Sequence, residues 1–244
     1  MAANVEEVER LVEESSLIFT GTVSKLNQSN EPGFPSGDRS VLARIDGVFR
    51  AGSALGDLAG RSVTIELLHG NRPSVGDQAI YFANGLVYGA QIVVREVGHL
   101  DPSGKVEKDV VAAIDGLPLR HLRSRLEGAE LVVAGTVVRT RPSGIKESVS
   151  FHSPHWMVAV LRVSSALKGK TGNGEVDVFF PSSHDHRWSL APKFHEKEEG
   201  IFILRRGATT QFGLPVQAYT ALDRADFQPS DTKARIQALV SRKE

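Results

Sequence analysis

The residues best equipped for chemistry in this 244-residue chain are its histidines. Five of the eight lie past residue 150: His152, His155, His184, His186 and His195, with Asp185 between two of them. On a strand, His184 and His186 would share one face. Together with His155 they could supply a nitrogen-rich site for zinc, nickel or copper, so a divalent transition metal is the one cofactor the sequence raises. The plainer expectation is no cofactor, because the segment from Pro181 to Trp188 reads as a loop where imidazoles stand in solvent and a metal needs converging ligands. Cysteine chemistry is excluded, since the chain has no cysteine. No Gly-x-Ser-x-Gly elbow, His-Glu-x-x-His pair or phosphate-binding loop occurs. A chain without such motifs reads as a binder and not as an enzyme.

Two kinds of partner compete. Trp156, Arg187, Trp188 and Arg141 are candidate partner-binding residues, and tryptophan and arginine dominate the energetics of protein interfaces. The bland role for Trp156 is to cap a barrel. The alternative is single-stranded nucleic acid, for which the same tryptophans with Phe151, Arg139, Arg141, Lys146 and Arg187 would provide stacking and positive charge. Phe179, Phe180 and Phe202 are expected in strand cores instead. An unidentified protein is the partner the sequence favours, and no membrane is implied.

The elements that must position these side chains come in two similar series. Leu17-Ile-Phe-Thr-Gly-Thr-Val23 returns as Leu131-Val-Val-Ala-Gly-Thr-Val137, with Gly21 and Gly135 in the same place. Both runs read as buried strands. Ile45-Asp-Gly-Val-Phe-Arg50 aligns with Val163-Ser-Ser-Ala-Leu-Lys168, Ser62–Leu67 with Glu175–Phe180, and Asp77–Phe82 with Glu198–Leu204. Last strands are expected within Gln91–Val97 and Gln211–Leu222. Asn27–Asp38 and Thr140–Pro154 are long loops at corresponding places, and loops on a rigid scaffold commonly carry recognition. Helical spacing marks residues 4–15, with Asn4 as N-cap, and Asp231–Arg242. A further helical pattern follows Val106, and Gly116-Leu-Pro118 is expected to break it into two helices. The fold class is thus mainly β with flanking helices: two tandem OB-like small β-barrels from an internal duplication. The expected domains are 1–105 with an N-terminal helix, connecting helices over 106–128, and 129–244 with a C-terminal helix.

Charge gives little direction. Lys plus Arg and Asp plus Glu number 29 each, so no global field favours nucleic acid. Residues 1–114 carry ten basic and fifteen acidic side chains, and residues 115–244 carry nineteen and fourteen. No run reaches the roughly 18 to 20 apolar residues of a membrane span. The acidic first ten residues lack a signal-peptide core, so the expected setting is the cytoplasm.

The order "apolar strand with Gly-Thr-Val, long loop, alternating strand ending in a basic residue and Gly, strand, Pro, apolar strand" resembles bacterial OB-fold domains akin to the metalloproteinase-inhibitor and netrin-like modules. It is carried by Leu17–Val23, Val41–Gly52, Val63–Leu68 and Pro73–Phe82, and again by Leu131–Val137, Val158–Gly169, Val176–Phe180 and Pro192–Leu204. The resemblance implies the fold only. Inhibitors of that group bind a catalytic zinc through an N-terminal cysteine, which this chain lacks.

Overall fold

The computed structural model of the chain describes residues 4–52, 55–68, 73–88, 91–145, 154–172, 174–183, 188–206 and 213–241. The chain separates into two compact units, divided between Leu117 and Pro118. In the first, α1 (Val5–Glu14) precedes β1 (Leu17–Leu26), β2 (Ser40–Arg50), β3 (Ser62–Glu66), β4 (Gln78–Tyr88) and β5 (Ile92–Leu100). α1 starts where the sequence places it, with the Glu7 N–H donating to Asn4 Oδ1 at 2.7 Å. The strands close a barrel in the order β1-β2-β3-β5-β4, and β4 returns to β1. β3 and β5 run parallel, and the other pairs are antiparallel.

Each repeated run opens with consecutive apolar residues, Leu17–Phe19 and Leu131–Ala134, because both faces of the strand are covered there. Leu17, Phe19 and Val23 fill the barrel with Ala43, Ile45 and Ile65. Ile18 points the other way, joining Ile80 and Phe82 beneath Val8, Leu11 and Val12 of α1 and beneath Val110 and Ala113. These last two belong to α2 (Gly104–Glu127). α2 is one helix, contrary to the break expected at Gly116-Leu-Pro118, and Pro118 lies inside it. Proline removes one helical hydrogen bond at a cost of about 3 kcal/mol. Buried side chains hold the helix on both sides of that defect: Val110 and Ala113 before it, Leu122 and Leu126 after it.

The second unit contains β6 (Leu131–Pro142), β7 (Trp156–Lys168), β8 (Glu175–Pro181), β9 (Glu199–Leu204), β10 (Tyr219–Thr220), β11 (Phe227–Pro229) and α3 (Lys233–Ser241). Leu131, Val133 and Val137 fill its interior with Leu161 and Phe202. Val132 and Ala134 face outward with Ile201 and Ile203 against Leu122 and Leu126 of α2 and Ile236 of α3. Registers coincide with those of the first unit. β1 slips against β2 at Ile18/Phe19, Thr20/Gly21 and Val23/Lys25, and β6 slips against β7 at Val132/Val133, Ala134/Gly135 and Val137/Arg139.

The second unit is barrel-like as well, but among the described residues its sheet is less completely paired. Six strands form a curled half-barrel in the order β10-β8-β7-β6-β9-β11. The strand expected within Gln211–Leu222 is reduced to Tyr219–Thr220, which pairs with β8 as β5 pairs with β3. A single bridge, Arg205 with Thr220, stands where Asn84 pairs with Arg95 in the first unit. The reason is an inserted turn. Phe227 follows Thr220 by seven positions, whereas its counterpart His99 follows Arg95 by four. The additional residues form a 3-10 turn, Arg224–Asp226, capped by the Asp223 side chain.

The repeated glycine has a steric cause. It lies at the middle slip, where the partner strand presses close. A Cβ on Gly135 would stand 2.6 Å from the Arg162 carbonyl oxygen, and one on Gly21 would stand 3.2 Å from the Arg44 oxygen. Gly135→Ala should therefore lower unfolding free energy by about 2 kcal/mol through overpacking against backbone, and Gly21→Ala by less. Urea denaturation of the two variants tests this order.

The basic residue that ends the second strand of each series also acquires a role. Arg50 Nη1 donates to the Val12 carbonyl at 3.0 Å. Lys168 Nζ donates to the carbonyls of Leu126 and Glu127 at 2.8 and 3.0 Å. Each cation satisfies carbonyls that the last turn of a helix leaves without partners, and each opposes the negative end of its dipole.

Candidate functional site

The residues singled out in the second unit fall into three groups. Trp156 opens β7, and Trp188 packs edge-on against it with ring centroids 5.8 Å apart. They are only 6% and 5% exposed. Lys193 Nζ ties the pair down by donating to the carbonyls of Trp188 and Pro181. The rings thus serve as a cover on the sheet. Arg141 stands exposed on β6 and is paired with Asp177 at 2.6 Å. Such a surface ion pair contributes little to stability. His155 is exposed just before β7, and its carbonyl accepts from the Ser182 N–H and hydroxyl. Arg187, His184 and His186 lie outside the described residues. Among the described residues no group of three or more His, Asp or Glu side chains could hold a metal ion.

A polar cluster that the sequence reading missed lies in the first barrel. β5 slips against β4 between Phe82 and Ala83, leaving Val97 as the extra residue of a bulge. Without it, Glu96 and His99, three apart on a strand, would face opposite sides. The bulge turns both inward, and bulges commonly re-aim side chains in this way. Gly98 makes room for it, since a Cβ there would stand 2.7 Å from Leu11 of α1.

The Glu96 carboxylate is fully buried. One oxygen lies 2.6 Å from His99 Nδ1, and the other accepts the Leu68 N–H at 2.8 Å. Tyr81, opposite His99 across the strands, has its ring centroid 6.0 Å from the imidazole. Burial pushes the Tyr81 phenol up to about 12, with the charges of Glu96 and Asp77 adding to the effect. The hydrogen bond to Glu96 holds the His99 imidazole above its ordinary range, against the opposing effect of its own burial, and Asp101 adds a smaller contribution.

The second unit fills the same positions differently. Phe202 takes the place of Tyr81 and Phe227 that of His99, with ring centroids 5.1 Å apart. Ala221, which follows Thr220 as Glu96 follows Arg95, is fully buried in the core. One sheet geometry therefore accommodates an apolar solution and a charged one. A pair whose carboxylate is buried while its imidazole stays 38% exposed is a weak stabiliser compared with packed apolar groups, so stability alone does not account for Tyr81, Glu96 and His99. What the cluster can do is exchange a proton near neutrality and present a charged, hydrogen-bonding centre at the end of β5. Leu68, whose N–H binds the carboxylate, is 43% exposed beside it.

The pH dependence follows from the sign of the shift. A histidine whose folded pKa lies above its unfolded value stabilises the fold fully below the unfolded pKa, about 6.5. That contribution disappears as pH rises through the folded value. His99 should titrate above 6.5 by NMR, and Glu96→Gln should bring its midpoint down.

The charged knot of the second unit is structural. Arg125 donates in bidentate fashion to Asp226 at 2.7 and 2.6 Å, and Asp226 also accepts the N–H groups of Leu222 and Asp223. Arg205 Nη2 donates to the Ser124 and Arg125 carbonyls near the end of α2. Among the described residues no helix is long and apolar enough to cross a membrane. No known protein-family profile and no curated protein matches this chain.

Proposed function

We propose that the chain is a non-catalytic binding module of two OB-like units that recognises a protein partner through the first barrel, at the rim where the exposed His99 and Leu68 stand over the buried Glu96 and Tyr81. One observation carries this reading: a buried carboxylate and its imidazole occupy positions that the second unit fills with alanine and phenylalanine. Matched slips in the two sheets support an internal duplication in which only the first copy bears the polar centre. An OB-type barrel akin to the netrin-like group and a cytoplasmic setting complete the proposal. The burial of Trp156 and Trp188 moves the expected contact surface away from them.

The test compares the unsubstituted chain with the triple variant Tyr81→Phe, Glu96→Ala, His99→Phe, which imports the residues of the second unit. Removing both partners together leaves no buried charge without its counter-ion, so the variant should stay folded at the temperature of the assay, which its melting curve checks. Affinity capture from native lysate, with and without nuclease, should recover a stoichiometric protein in both conditions, and the variant should lose it. A partner retained by the variant would overturn the rim as the site. Recovery that depends on nuclease-sensitive material would replace the protein partner by nucleic acid. Bound metal lost on replacing His184 and His186 would support a histidine site instead.

A further inference from the structure

The first long loop does not project into solvent. It folds back on the barrel and is held there by one asparagine. Thr64 Oγ1, on the outward side of β3, donates to Asn30 Oδ1 at 2.6 Å and accepts the Asn30 N–H at 3.0 Å. Ser29 Oγ lies 3.3 Å from the same hydroxyl. Asn30 Nδ2 reaches Gln91 Oε1 at 2.8 Å and the Ser62 carbonyl at 3.3 Å, so the loop crosses from β3 to the residue preceding β5. Thr64 is left with no exposed surface. Yet no residue from Asn27 to Asp38 is itself buried, and Phe34 is only partly covered. The segment is thus attached mainly by polar contacts, without a fully buried apolar anchor. Segments of that kind open at far lower free energy than a core.

Among the described residues, the counterpart position in the second unit carries no such cover. Thr64 pairs with Leu42 in β2 as Asp177 pairs with Val160 in β7. The Asp177 side chain is 47% exposed. One register position is therefore covered at Thr64 in the first unit and half exposed at Asp177 in the second.

We propose that Ser29–Glu31 is a detachable strap, latched by Asn30, that gates access to the outward face of β3 and opens while the barrel stays folded. The two units are then unequal at rest: the second presents this face, and the first presents it only after the latch is released.

The absence of cysteine from the chain supplies the test. Thr64→Cys and Asp177→Cys each introduce a single thiol, whose reaction with a maleimide reports access in the full-length protein. The thiol at 64 should react at least about a hundredfold more slowly than that at 177, at a rate set by local opening. Adding Asn30→Ala to Thr64→Cys should accelerate it about tenfold or more, with the amide exchange of β1 and β6 unchanged. Equal reactivity at 64 and 177, no acceleration by Asn30→Ala, or reaction at the rate of global unfolding would each overturn the strap. Hydrogen exchange of the Asn30 amide in the unsubstituted chain gives the same reading without a substitution. Exchange faster than that of the barrel strands supports local opening, and exchange together with them contradicts it.

Discussion

Leu126→Asp should unfold the second unit at temperatures where the original chain is fully folded, with a loss of at least about 4 kcal/mol. Leu126 is 4% exposed and lies among Ile201, Ile203, Val132 and Ile236, between α2 and the outward face of the half-barrel. Truncating such a leucine costs about 2 to 5 kcal/mol, and an aspartate there adds a carboxylate with no apolar neighbour able to pair with it. Leu122→Asp, 6% exposed in the same cluster, should act alike. Calorimetry of the full chain measures the loss, and a melting curve superimposable on the original would refute this account of the α2 contact. The exposed Val111→Asp, at 46% exposure on the same helix, is the control and should change stability by less than about 0.5 kcal/mol.

The second large effect is expected at the ion pair beneath the inserted turn. Arg125→Met should cost about 3 to 5 kcal/mol, because the fully buried Asp226 would lose both guanidinium donors. Asp226 already lies above the ordinary carboxylate range through burial, with Arg125 and the Asp223 and Leu222 N–H groups pulling it back down. Removing the arginine raises it further. A carboxyl whose folded pKa is raised stabilises the fold when protonated and loses that contribution as pH rises through the folded value. The gap in melting temperature between variant and original should therefore be widest near pH 7 and narrow toward pH 4. A gap of constant size would assign the loss to packing of the arginine stem instead of to the stranded charge. Arg10, whose exposed pair with Glu14 lies on the surface of α1, offers a contrast: Arg10→Ala should be nearly silent.

Legibility from sequence followed how local each signal is. Runs such as Leu17–Val23 and Leu131–Val137 are readable as buried strands because both faces are covered at their starts, where consecutive positions are apolar. The alignment of Ile45–Arg50 with Val163–Lys168 matches the observed slips residue for residue, since spacing between strands survives in the order of residue types. The first turn of α1 was readable because an asparagine cap acts on its own neighbours. The histidine reading had no comparable support. Spacing of two puts side chains on one face only if the segment is a strand, and His184 and His186 lie outside the described residues.

By itself, then, the chain determined its β-rich class, the two matched series, the caps and the absence of thiol chemistry, all of which depend on neighbours within a few residues or on composition. Tertiary structure decided the rest. Pro118 stays inside a helix because buried contacts on both sides outweigh one lost hydrogen bond. Among the described residues the ends of the second sheet meet at a single bridge, where a turn of three extra residues splits its last strand. Trp156 and Trp188 cover one another although they stand 32 positions apart in the chain. Glu96 meets His99 only because a bulge changes the parity of a strand, and Asn30 meets Thr64 only because a loop folds back 34 positions later in the chain. Parity and long-range closure are properties of pairing between strands, and no single strand records them.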